Sequence, residues 1–208
     1  MKTYDISLSL SPNTVRWVTA QPFELIGRKR MSRGDANNSS SIHGSAHAGT
    51  HVDAPFHFVP DGRTIDSLPL ELFIGPAQVY AIDAAGQITA SDIGQLNLAG
   101  EKRVLFKTRN SSLLHKPDYD PSFVSFSVDG AMALVERGVQ LVGLDYLSVA
   151  RADEQVRVHR AFLDHGIVLL EGIDLSEVPV GRYELICPPV KLAGSDGAPC
   201  RAVLRELE

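Results

Sequence analysis

His47-Ala48-Gly49-Thr50-His51-Val52-Asp53-Ala54-Pro55-Phe56-His57-Phe58 places three histidines and a carboxylate within twelve residues. With His43 included, four of the chain's seven histidines fall in residues 43–57. Imidazole nitrogen together with carboxylate oxygen is the ligand set of zinc, manganese or iron, and no cysteine lies near enough to suggest a thiolate site. The stretch therefore reads as part of a catalytic metal site. Its backbone is predicted to be extended, because Pro55 disfavours the α region at Ala54 and removes a donor, while Gly49 weakens any helix through His47 to His51. On an extended segment His51 and Asp53, two apart, project from one face, and a turn at Ala48-Gly49 lets His47 join them.

Working outward, Thr3 to Leu10 alternates as a strand with Tyr4, Ile6 and Leu8 on one side, stopped by Ser11-Pro12-Asn13. Val15-Arg16-Trp17-Val18 holds the single tryptophan. By residue type Trp17 is either a core or rim residue or an aromatic wall against a planar substrate. Residues 31–41, rich in Gly, Asn, Asp and Ser, are expected to form a loop leading into a strand that delivers His43, itself read as a surface residue or one that supports the site from behind. Beyond the motif, strands are predicted at Ala77 to Asp83 and Arg103 to Thr108, with a short helix between them capped by Ser91. Asn110 to Pro121 is polar and reads as a loop over the site, with His115 on the surface. Then helix and strand alternate: a helix capped by Ser127 or Asp129 and running to Arg137, a strand at Val139 to Asp145, a helix at Val156 to His165 closed by Gly166, and a strand from Ile167 to Leu170 ending at Glu171. Strands at Tyr183 to Cys187 and Arg201 to Arg205 finish the chain. This order is mixed α/β, and no repeat, low-complexity tract or linker divides residues 1–208, so one domain is expected.

Composition narrows the function. With 208 residues, 44% hydrophobic and 22% charged, the chain can bury a sizeable core, and no apolar run approaches the roughly 20 residues of a spanning helix. A net charge of −5 offers no footprint for nucleic acid, and the basic cluster Arg28-Lys29-Arg30 is read as a solvated loop. The N-terminus lacks a signal-peptide apolar region, so a cytoplasmic protein is expected, with Cys187 and Cys200 as reduced, buried thiols. A second ligand cluster lies far along the chain. His159 on a helix and Glu171 at the end of the next strand can be brought together by a helix-to-strand hairpin, although by residue type alone a buried core histidine and a solvent-facing glutamate are the favoured readings.

The run H-x-G-T-H-x-D-A-P-x-H-F resembles the signature of the cyclase family of metal-dependent hydrolases, whose members include the bacterial kynurenine formamidases. The similarity extends through Gly143-Leu144-Asp145, His159 to Glu171, Tyr183-Glu184-Leu185 and Gly197-Ala198-Pro199 to Arg205. The resemblance implies a swivelling β/β/α fold with a β-barrel-like core. It also implies a centre of two divalent metal ions, zinc first and manganese second. His47 and His51 would bind one metal and His159 the other, with Asp53 and Glu171 bridging. His57 matches the family's catalytic histidine, and Trp17 a substrate-contacting tryptophan, although Trp17-Val18-Thr19-Ala20 departs from the usual Trp-Pro-Gly-Asp. The implied activity is hydrolysis of an amide, such as N-formylkynurenine or a related aryl formamide, by a metal-activated water with His57 as proton shuttle. The alternatives are opening of a cyclic amide such as isatin, and a non-catalytic, metal-stabilised binding protein. A homo-oligomer, dimer or tetramer, is also implied.

Overall fold

Apolar residues run consecutively through Val104–Phe106, Leu141–Val142 and Val168–Leu170, so the strands that contain them must be covered on both faces. In the computed structural model, which describes residues 1–98, 100–116 and 118–207, this covering is what the helices and the curl of the sheet provide. The strands run β1 (Thr3–Asp5), β2 (Glu24–Lys29), β3 (Ser39–His43), β4 (His51–Asp53), β5 (Ile74–Ala81), β6 (Gln87–Ile88), β7 (Arg103–Lys107), β8 (Ser125–Phe126), β9 (Leu141–Leu144), β10 (Val168–Glu171), β11 (Gly181–Ile186), β12 (Gly197–Pro199) and β13 (Val203–Glu206). Three helices, α1 (Ala90–Gly94), α2 (Val128–Glu136) and α3 (Gln155–Leu163), fall among the later strands.

Nine strands join one strongly curled sheet in the order β1-β13-β11-β5-β7-β9-β10-β4-β12. Its centre, β5-β7-β9-β10, is parallel, as connections through helices require, and the flanking pairs are antiparallel. Period-two alternation sorts the side chains. Val104, Phe106, Val142, Leu144 and Leu169 pack with Ile93, Leu134 and Phe162 of the helices, while Leu105, Val168 and Leu170 turn to the concave side with Val52, Val79 and Leu185. A third apolar cluster, of Val15, Leu113, Phe123, Tyr146 and Leu147, backs the segment that carries Trp17. The mixed α/β class and barrel-like core expected from the family resemblance are those of this sheet.

Several local expectations are corrected. The first strand ends at Asp5, and beyond it only Ser7 makes a bridge, to Ile173. The basic cluster and the segment after it are not a plain loop: Arg28 and Lys29 lie on β2, which pairs antiparallel with β3, around a 3-10 turn at Met31–Arg33. The signal was obscured because both strands are largely exposed, so neither shows a buried alternating face. Thr89, not Ser91, caps α1 in a reciprocal capping box with Asp92. For α2 the open choice resolves to Ser127, whose Oγ accepts from the Gly130 amide. The predicted loop from Asn110 begins inside a 3-10 turn, Arg109–Leu113; its Pro117 lies outside the described residues. Among the described residues, no helix is long and apolar enough to cross a membrane. Cys187 and Cys200 are free thiols; Cys187 is buried and Cys200 partly exposed, and burial pushes both pKa values up, that of Cys200 to about 12.

Candidate metal centre

β4 is only three residues long, but it is clamped on both sides: β10 pairs with one edge and β12 with the other. The register sets His51 directly opposite Glu171 and Asp53 opposite Leu169, so His51, Asp53 and Glu171 share the helix-facing side of the sheet. The α3 helix, packed on that side through Val158 and Phe162, adds His159. Immediately after Glu171, Gly172 has φ +67° and lies so close to the Gly49 carbonyl that a Cβ would come within 2.2 Å of its oxygen. Thr50 Oγ1 donates to the Gly172 carbonyl at 2.5 Å, tying the two ligand-bearing segments together.

Second partners orient the two buried histidines. Nδ1 of His51 donates to the Gly49 carbonyl and Nδ1 of His159 to the Gln155 carbonyl, both at 2.8 Å, which leaves each Nε2 facing the carboxylates. This is the arrangement by which a metal-ligating imidazole is held in one tautomer. His51 Nε2 lies 3.4 Å from both Asp53 Oδ1 and Glu171 Oε2, and His159 Nε2 lies 3.8 Å from Asp53 Oδ2 and 3.6 Å from Glu171 Oε1. Those gaps exceed the 2.7–3.2 Å of direct hydrogen bonds and are near the roughly 3.3 Å edge of a tetrahedron built on metal–nitrogen and metal–oxygen bonds of about 2.0–2.2 Å. Asp53 is fully buried, and its Oδ2 has no hydrogen-bond donor among the described residues. An orphaned carboxylate oxygen at this depth is costly unless a cation meets it. His47, His51 and Asp53 form one triad of suitable donors, and Asp53, His159 and Glu171 form another that shares Asp53. Each of these triads could therefore hold a divalent ion.

Electrostatics points the same way. Burial opposes charge on His51, but Asp53 and Glu171 outweigh it and push its pKa up to about 10. Burial and the neighbouring Asp53 work against ionisation of Glu171, and His159 and His51 more than offset them. The two carboxylates thus stay ionised in the interior, held so by the neighbouring imidazoles. His57 goes the other way: burial and the neighbouring His47 and His159 overcome the pull of Asp53 and Glu171 and lower its pKa below the ordinary imidazole value. These surroundings therefore favour its neutral form.

His47 and His57 stack with ring centroids 4.1 Å apart at the mouth of the site. Trp17 lies across a cleft of about 280 Å³ from the histidines, with Val15 and Leu147 beside it and its edge against Tyr119 at 4.9 Å between centroids. Trp17 thus packs against the third apolar cluster and also walls the cleft. His43 is exposed on the hairpin near Glu24, His115 pairs with Asp174 at the surface, and His165 caps α3 by donating to the Ala161 carbonyl. None of the three belongs to the centre.

Sequence reading missed two carboxylates. Asp196 Oδ2 lies 2.7 Å from His47 Nε2 and 3.1 Å from His57 Nδ1. The available signal was an aspartate lodged in the turn Gly194-Ser195-Asp196-Gly197. Asp145, quoted only as part of a similar stretch, is buried and accepts from the amides and hydroxyls of Thr108 and Ser111 at 2.7–3.0 Å.

The chain is similar over its length to known proteins. The Cyclase family model matches residues 4–151. Kynurenine formamidase of Salinibacter ruber is 43% identical over 209 residues, covering 99% of this chain and 98% of that protein. A solved structure described as a potential metal-dependent hydrolase with cyclase activity superposes with a TM-score of 0.86 at 31% identity, covering 99% of both chains. Isatin hydrolase A from Labrenzia aggregata shares the fold, with a TM-score of 0.83 at 22% identity over 98% of this chain and 93% of that one. With a family model spanning most of its length and relatives matched from end to end, the chain belongs to the cyclase family.

Proposed function

We propose that this protein is a metal-dependent amide hydrolase of the kynurenine formamidase type, acting on N-formylkynurenine or a related aryl formamide. The observation that carries this reading is the pairing of two donor triads on one buried aspartate, with His57, whose pKa is lowered, beside them in a third and more exposed group with His47 and Asp196. Zinc, or failing it manganese, held by His47, His51 and Asp53 on one side and by Asp53, His159 and Glu171 on the other, would supply Lewis acidity and lower the pKa of water. The chain's own residues do the rest. His57 accepts a proton as water adds to the formyl carbon and returns it to the amide nitrogen as the C–N bond breaks, giving formate and the free amine. Trp17 offers a flat apolar face for the aryl ring, and Val15 and Leu147 exclude water around it.

Trp17-Val18-Thr19-Ala20, in place of Trp-Pro-Gly-Asp, favours keeping a second reading, the opening of a cyclic aryl amide such as isatin. A metal-stabilised binding protein is disfavoured by His57, which has no purpose in a structural site. Turnover of N-formylkynurenine, formanilide and isatin by metal-loaded and chelated protein tests these readings. We expect turnover that chelation abolishes and zinc restores. Chelator-induced unfolding with no turnover of any of the three would leave only the structural role.

The hairpin β2–β3 supports the homo-oligomer reading. A two-stranded sheet is marginal on its own, and this one carries Leu25 57% exposed and Ile42 71% exposed. A second copy of the chain is the occupant that the family resemblance implies, and sedimentation of Leu25→Glu/Ile42→Glu protein against the parent checks it.

A further inference from the structure

Asp196 stands between the two histidines whose roles differ most. Its side chain is 39% exposed, yet a single oxygen, Oδ2, faces both His47 Nε2 at 2.7 Å and His57 Nδ1 at 3.1 Å. The other oxygen accepts from Ser195 Oγ at 3.3 Å. Its backbone is pinned as well, because the Asp196 carbonyl accepts from the Ala54 amide at 2.9 Å and the Ser195 carbonyl from the Ile65 amide at 2.9 Å. The next residue, Gly197, pairs with Asp53, and a Cβ there would meet His47 Cε1 at 2.7 Å, so glycine is what lets this turn approach the imidazole. The carboxylate is therefore held in place by the strand pairing that also clamps β4.

We propose that Asp196 is a positioning residue that holds His47 and His57 together through one carboxylate oxygen. With Nδ1–H of His57 donated to Asp196, the proton-exchanging nitrogen is Nε2, which has no hydrogen-bond partner among the described residues and lies on a ring that lines the cleft. With Nε2–H of His47 donated to the same oxygen, Nδ1 is the nitrogen left to face Asp53, 2.7 Å away, on the metal side. One turn thus sets the orientation of a metal-side ligand and of the base, as the carboxylate of a hydrolase triad sets its histidine. The inference rests on the assignment of His57 as proton carrier.

Asp196→Asn and Asp196→Ser, compared with His57→Asn, test it. Titration with a competing chelator, read without turnover, should show zinc bound about 10–100-fold more weakly by both Asp196 variants. At saturating zinc, Asp196→Asn should lose at least about tenfold in kcat on formanilide with little change in KM. It should lose much less on phenyl formate, whose phenolate departs without a proton. The double variant His57→Asn/Asp196→Asn should be no slower than His57→Asn by more than about twofold, because groups that act as a unit do not add. Wild-type zinc affinity, equal losses on amide and ester, or an additive loss in the double variant would overturn the proposal. If His57→Asn is itself fully active, the hydrolytic assignment of His57 fails instead, so the two failures are distinguishable.

Discussion

His57 and His51 lie six residues apart, and their surroundings assign them opposite behaviour. His51 is sealed between Asp53 and Glu171, with its Nδ1 committed to a carbonyl, so His51→Asn removes a nitrogen that faces both carboxylates. His57 belongs to the cleft wall, 26% exposed, and neither buried triad contains it. His57→Asn is therefore expected to retain metal while losing on the order of 10²–10⁴ in turnover, the usual range for a lost acid–base group, and His51→Asn to lose metal and activity together. Metal analysis beside steady-state kinetics checks both. Trp17→Ala should raise KM for aryl substrates more than it lowers kcat, since the ring contributes binding shared by ground and transition states. Kinetics unchanged on an aryl formamide would return Trp17 to packing against Tyr119 alone.

Among the elements, β9 ends in a carboxylate that organises its neighbour. Asp145 gathers four donors from the turn that follows β7, and burial pushes its pKa up against the pull of those hydrogen bonds. Asp145→Ala would leave buried donors unpaired, and an unfolding free energy lower by about 3 kcal/mol is expected in denaturant titration. At the sheet's edge, Arg201 reaches across to Asp5 on β1, and this hydrogen-bonded pair holds the Asp5 carboxyl below its ordinary value. A depressed carboxylate pKa stabilises the fold above the unfolded value near 4 and loses that contribution as pH falls through the folded one. The pair is partly solvated and worth less than about 1 kcal/mol. The Tm deficit of Asp5→Asn, measurable at pH 7, should therefore close below about pH 4.

At the scale of the whole molecule, the centre joins segments far apart in the chain: β4, α3, β10 and the turn before β12 all meet there. Ions bound only by the folded protein stabilise it by mass action, about 2.7 kcal/mol at one hundred times Kd for each site. Loading with zinc should raise Tm and saturate at two ions per chain. A single ion at saturation, by elemental analysis, would replace the binuclear centre with one of its triads.

Local chemistry was legible where residue type and spacing act over a few positions. The extended His51–Asp53 segment, the shared face of His51 and Asp53, the presence of α2 and α3 and the mixed α/β order follow from the period-two and 3.6-residue patterns, whereas Pro55–His57 turns as a 3-10 helix and α3 stops at Leu163, two residues short of the expected His165. Resemblance extended this to His159 and Glu171. Of the hairpin β2–β3, the strand that delivers His43 was legible but its partner β2 was not, because both strands are largely exposed, and β12 was not, because three residues carry too little pattern. Only the tertiary structure decided that β12 lies beside β4 and sets Asp196 against His47 and His57. Strand register across more than a hundred residues is chosen by the burial of the whole sheet, and no local preference of Gly194-Ser195-Asp196-Gly197 encodes which histidines its carboxylate will meet.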